Sequence, residues 1–208
     1  MSESAALLGF CLALMAGAMS PGPSFLMVAR ISVSRSRAAC NPAALGMGCG
    51  GLVFGLAALL GFKALLTAVP ALYIAIKLLG GGYLAYLGYR IIRSAGGPLH
   101  ENPEEPGAGK ASPPFLLGLA TQVSNPKTAI VYASLIATFI PPNPSPSFSV
   151  ALLLAVFSIE AGWYALVAFV LSSQRAKAVY LSAKRWIDRG CGAVLGCLGL
   201  RLALSGLE

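Results

Sequence analysis

The sequence predicts an all-α, polytopic membrane protein of six transmembrane helices arranged as two inverted three-helix repeats. Composition is the first observation behind this. Of 208 residues, 57% are hydrophobic and only 11% charged, whereas a soluble domain carries roughly 25% charge. The second is that the apolar residues gather into six runs, roughly 5–29, 43–66, 71–92, 115–140, 148–171 and 188–207. Each approaches the about 20 residues a helix needs to cross a ~30 Å hydrocarbon core. The third is an internal likeness between the two halves.

The first run opens without the basic start of a signal peptide, since residues 1–10 carry only Glu3. An uncleaved helix is expected despite the small-residue stretch Ala16-Gly17-Ala18. The second run is rich in glycine (Gly46, Gly48, Gly50, Gly51, Gly55), as is the third (Gly80, Gly81, Gly82). Such residues permit close helix contact. After the third run, "SAGGPLHENPEEPGAGKASPP" reads as a flexible linker. It divides half one (1–94) from half two (115–208), with 95–114 between them, all within one transporter domain. The uncharged connector "PPNPSPS" separates the fourth and fifth runs.

Net charge is +8, but most of the basic residues cluster in or beside the loops between runs. Loop one has Arg30, Arg35 and Arg37; loop three has Arg90, Arg93 and Lys110; loop five has Arg175, Lys177, Lys184, Arg185 and Arg189; loops two and four have none. This asymmetry predicts odd loops in the cytoplasm and both termini outside. It is a topology signal, and no nucleic-acid partner is expected. Tyr180 and Trp186 suit an interfacial aromatic belt.

"LGYRIIRS" (87–94) ends the third run and "LGLRLALS" (198–205) the sixth, with four of eight positions identical at an offset of 111. "MSPGPSFL" in the first run faces "VSNPKTAI" in the fourth, each holding a proline after Gly or Asn (Pro23 and Pro126). Three helices per half is an odd number, so the second half must enter from the opposite side. Secondary transporters recurrently use that arrangement.

Proline inside a helix removes a hydrogen bond. In lipid the freed backbone groups are tolerated only against protein or a wet cavity, where they can meet a ligand. Pro21, Gly22 and Pro23, with Asn125 and Pro126, are therefore the leading substrate-site candidates. Lys127 is the thirteenth of 26 residues in its run and Glu160 the thirteenth of 24, so both lie near the midplane. Unpaired, each costs about 2.5–3.5 kcal/mol on insertion scales. A direct Lys127–Glu160 pair is one solution; a protonatable Glu160 that couples transport to protons is another. Lys127 is a candidate for a substrate carboxylate, and Lys77, seven residues into the third run, can either snorkel or bind one. Gln122, Ser124 and Thr128 flank the second break and can hydrogen-bond a zwitterion, while Trp163 and Tyr164 can line a pathway, aromatic packing being the safer reading for either. Lys63 and Arg201 suit snorkelling near helix ends.

Neither a metal nor a cofactor is expected. Cys11, Cys40, Cys49, Cys191 and Cys197 show no CxxC spacing, and His100 is the only histidine. No nucleotide-binding P-loop or hydrolase motif appears, so the chain is not read as an enzyme. A six-helix thiol-redox electron carrier is the alternative, but it needs cysteines facing across the halves, and the fourth run has none.

The chain resembles the lysine exporter and homoserine/threonine-efflux family, LysE/RhtB. The likeness rests on "MSPGPSFLMVARISVSRSRAA", "KLLGGGYLAYLGYRIIRS", "FLLGLATQVSNPKTAIVYASLIATFI" and "RWIDRGCGAVLGCLGLRLALS". Pro21, Gly22, Pro23, Lys77, Asn125, Pro126 and Lys127 match characteristic positions. The glycine run "GMGCGGLVFG" departs, being uncharged where many relatives carry a polar or charged residue. The resemblance implies efflux of amino acids or related zwitterions across the bacterial inner membrane, drawing on the proton gradient. The implied partners are a small amino-acid substrate, protons and the bilayer, with self-association left open.

Overall fold

The computed structural model describes residues 2–20, 22–34, 37–68, 70–95, 113–172 and 174–204. Among them are eight α-helices and no strand: α1 (Glu3–Met19), α2 (Pro23–Ser34), α3 (Arg37–Ala68), α4 (Pro70–Arg93), α5 (Pro114–Ser124), α6 (Pro126–Phe139), α7 (Pro146–Leu171) and α8 (Gln174–Leu204). Nearly all of the expected linker, with His100 and Lys110, lies outside the described residues.

The first and fourth runs are each split, as their prolines require. α1 and the start of α2 meet at a 59° bend, and α5 gives way to α6 at Asn125. By length and composition, Cys40–Gly61 of α3 and all of α7 can cross a membrane, and α1 with Pro23–Ala29 can do so as a bent pair. The predicted fifth loop is a correction. Arg175, Lys177, Lys184, Arg185 and Arg189 lie in α8, which begins well before residue 188. There Lys184 Nζ donates to Asp188 Oδ2 at 2.6 Å, one turn along the helix. Both side chains are buried, Lys184 5% and Asp188 1% exposed. An opposite charge at i+4 supports a helix where isolated charges suggest a loop.

Two apolar cores flank a polar layer. One gathers Phe10 and Leu14 of α1, Tyr132 and Leu135 of α6, Leu152 and Val156 of α7, and Leu195 of α8. The other gathers Phe25 and Val28 of α2, Ala43 and Met47 of α3, and Tyr164, Val167 and Leu171 of α7. α7 contributes to both, and its Glu160 falls between them. α1 belongs to the first core and α2 to the second, so the break joining them also falls between the cores.

Lipid gives helices little reason to associate through hydrophobicity, so close packing of small residues carries the load. α4 lies along α8 in the largest helix contact, and α3 lies between α5 and α7. α4 and α8 run antiparallel with their backbones nearly touching. A β-carbon on Gly81 would stand 2.5 Å from Ala203 N and 2.7 Å from Gly199 O, and one on Gly192 would stand 2.7 Å from Gly88 O. α3 approaches α5 as closely, Gly46 against Phe115 and Gly118 against Ala43.

Candidate functional site

The site begins with what proline takes away. In an α-helix the carbonyl of residue 17 accepts from the amide of residue 21, but residue 21 is proline and has no N–H. α1 ends at Ser20, whose backbone is extended (φ −69°, ψ 124°). The terminal carbonyls of α1 therefore need donors from elsewhere. Lys127 supplies them: its Nζ donates to Ser20 O at 2.7 Å and to Gly17 O at 3.2 Å. A cation there also faces the negative end of the α1 dipole. Gly22 leaves room for the lysine stem, since a β-carbon would lie 3.2 Å from Lys127 Cδ and 3.3 Å from Nζ.

The second break caps itself. Asn125 Oδ1 accepts from the backbone N–H of Lys127 at 3.0 Å, and Pro126 begins α6 where a missing N–H costs nothing. The Asn125 Nδ2 donates to Ser24 Oγ at 2.9 Å, and Ser24 Oγ donates to Gln122 Oε1 at 2.8 Å. All three side chains are buried. One hydroxyl from the first break is thus held by two amides from the second.

Glu160 reaches the layer from α7, buried to 2% exposure. Its Oε1 accepts from Tyr132 OH at 3.1 Å, and its Oε2 has no hydrogen-bond partner among the described residues. Ser20 Oγ is buried and likewise unpartnered. Orphaned buried polar atoms are uncommon and costly. Both atoms belong to residues lining one cavity of ≈ 20 Å³, together with Gly22, Ser24, Gln122, Asn125, Lys127, Thr128, Tyr132 and Tyr164. That space suits about one water molecule. α3 walls the layer: β-carbons on Gly50 and Gly51 would stand 2.6 Å from Gln122 Cβ and 3.0 Å from Glu160 Cγ. The uncharged glycine run therefore presses directly on site residues.

The structure thus brings Gly22, Gln122, Asn125, Lys127 and Glu160 together at the cavity. Pro23 and Pro126 are exposed and do not line it; they begin α2 and α6. Pro21 and the Lys77 side chain lie outside the described residues. The direct Lys127–Glu160 pair is not formed. Among the described residues the one ion pair is Lys184–Asp188; the carboxylates of Glu160 and Asp188 act on Lys127 only through space. The carbonyls of α1 take the lysine because Pro21 removes the donor of Gly17 O and the end of the helix at Ser20 frees Ser20 O. Ser124 turns back to Ala120 O at 2.7 Å and is exposed, so it serves its own helix.

Sequence reasoning missed Ser20, Ser24 and Tyr132, and took Tyr164 for packing. Ser20 and Ser24 carried a signal, being polar residues beside a break in an apolar run. Tyr132 carried none that separates it from a core aromatic. The buried Lys184–Asp188 pair was hidden among basic residues that read as a loop.

A family model described as "LysE type translocator" matches residues 15–206. This chain belongs to that family. Its members are membrane translocators rather than enzymes. The chain is 30% identical over 189 residues to the threonine efflux protein of Escherichia coli K12, covering 90% of this chain and 92% of the relative. It is 33% identical over 196 residues to an uncharacterized membrane protein of Haemophilus influenzae, covering 92% and 93%. A Pseudomonas aeruginosa membrane protein, also uncharacterized, is 30% identical over 197 residues, covering 90% of each. No solved structure matches the chain. No disulfide joins the five cysteines, all of them described residues, and family membership gives the redox-carrier alternative no support.

Proposed function

We propose that this LysE-family translocator exports a small amino acid, L-threonine in the first place, across the bacterial inner membrane in exchange for protons. One observation carries the reading: two broken helices from different halves of the chain meet in a buried polar layer, bridged by Lys127 to Gly17 and Ser20 and by Asn125 to Ser24. Unwound backbone at membrane depth is the recurrent substrate site of secondary transporters. The threonine efflux relative names the cargo class.

The reading includes six spans with both termini outside, the split first and fourth runs each counting as one. An inverted repeat is supported by the α4–α8 seam. Residues 81 and 88 correspond to 192 and 199 at the 111-residue offset. The close contacts are Gly81 with Gly199 and Gly88 with Gly192, each the image of the other under exchange of the halves. Cargo enters between the two cores when the halves rock apart. Gln122 and Asn125 meet its polar groups, backbone near Pro21, Gly22 and Pro23 meets its ammonium, and Lys77 and Lys127 attract its carboxylate. Glu160, with one oxygen free, takes and releases the proton.

The test is threonine uptake into everted vesicles under an imposed pH gradient. Wild-type protein accumulates threonine. Glu160→Gln loses gradient-driven accumulation and keeps threonine–threonine exchange. Wild-type vesicles that move no amino acid would sink the reading; a Glu160→Gln variant that still accumulates would remove the proton role.

A further inference from the structure

Lys127 is an unusual occupant of its own site. A half-buried lysine in such a layer normally takes a carboxylate, and the buried carboxylates of Glu160 and Asp188 lie within electrostatic range. Instead its ammonium donates to two main-chain oxygens at the frayed end of α1, Ser20 O and Gly17 O. Gly22 lies against the stem, and the remaining cavity of ≈ 20 Å³ is too small for a second ammonium with a carbon chain attached. The carbonyl pair is thus a built cation site, filled by a tethered primary amine.

We infer that Lys127 is an internal surrogate for the cargo's ammonium group, occupying the carbonyl subsite at Gly17 and Ser20 whenever the transporter is empty. This rests on the proposed amino-acid cargo and reassigns the lysine's resting role. An arriving α-amino acid brings the same group, a primary ammonium with N–H donors, and takes the two carbonyls. The displaced Lys127 is then free for the cargo carboxylate. One exchange of partners satisfies every charge, with no bond made or broken. The empty carrier stays closed because the surrogate keeps the α1 carbonyls satisfied, as a buried backbone acceptor requires. Specificity follows: a cargo without an N–H-bearing cation cannot replace the lysine.

The decisive experiment needs no transport. Lys127→Ala removes three carbons and the ammonium, the outline of propylammonium. Thermal unfolding of the purified variant is followed with propylammonium, with tetramethylammonium (charge without N–H) and with propanol (shape without charge). Propylammonium raises the variant's midpoint by about 3–6 °C at ten times its Kd; the two controls do not. Wild-type protein does not respond, because propylammonium brings no carboxylate for a displaced Lys127, and neither does Lys127→Met, whose side chain fills the space. A variant too unstable to purify is recovered by propylammonium during solubilisation. Equal responses of wild type, Met and Ala variants, or no response of the Ala variant, overturn the inference. A chain that carries a primary amine other than threonine still shows this rescue, so the threonine reading and this inference fail separately.

Discussion

The two helix breaks look alike in sequence, each a proline in an apolar run, yet they are held in opposite ways. The α5–α6 break is self-sufficient: Asn125 accepts from the amide of Lys127 two residues on, and the chain leaves one helix and enters the next within a single residue. The α1–α2 break is dependent. Its freed carbonyls at Gly17 and Ser20 are served by Lys127, and its Ser24 by Asn125, both from the other half. One break supplies donors and the other receives them. In the proposed rocking of the halves, the second break would stay intact while the first lost its partners.

Substitutions at equivalent places should expose that asymmetry. The largest effect is expected at Asn125→Ala, which removes a helix cap and one of the two amides that hold Ser24. Cap loss costs about 0.5–2 kcal/mol and a lost buried hydrogen bond about 0.5–1.5 kcal/mol, so a loss of about 1–3.5 kcal/mol is expected by chemical denaturation. Ser20→Ala removes a buried hydroxyl with no partner among the described residues and should be neutral or slightly stabilising; a comparable loss at both positions would erase the distinction. Next comes Gly22→Val, which crowds the Lys127 stem. It should cost about 1–3 kcal/mol, the usual range for overpacking, and Lys127→Ala in the same chain should recover part of that. Gly22→Val costing the same in both backgrounds would mean the glycine does not serve the lysine.

The smallest effect lies away from the breaks. Glu3 at the start of α1 accepts from Ser145 N at 2.8 Å and Ser145 Oγ at 2.6 Å, at the N-terminus of α7. These hydrogen bonds hold its carboxyl below its ordinary 4.5. The stabilisation is thus fully present above about pH 4.5 and lost as pH falls through the lower folded value. Glu3→Gln should flatten the acid limb of a stability–pH profile and leave neutral pH nearly unchanged. An unaltered acid limb would show that the contact carries no linkage.

Breaks were legible in the sequence because proline acts through its own backbone, whatever surrounds it. Asn125-Pro126 interrupts its run where the residues say it should. Glu160 and Lys127 were legible as buried charges because apolar neighbours make a charge conspicuous. What a charge binds was not legible. Every residue has a carbonyl, so nothing in the letters marks Gly17 and Ser20 as the acceptors for Lys127. Lys184 and Asp188 failed for the opposite reason: other charges surround them, and only the fold shows that their shared helix face turns inward.

A hollow with room for one water has a meaning beyond cargo size. Leakage of protons or salt through a membrane needs an unbroken file of water, and the space between the two breaks holds about one molecule. In the proposed carrier, a waist this narrow would hold back ions as well as cargo.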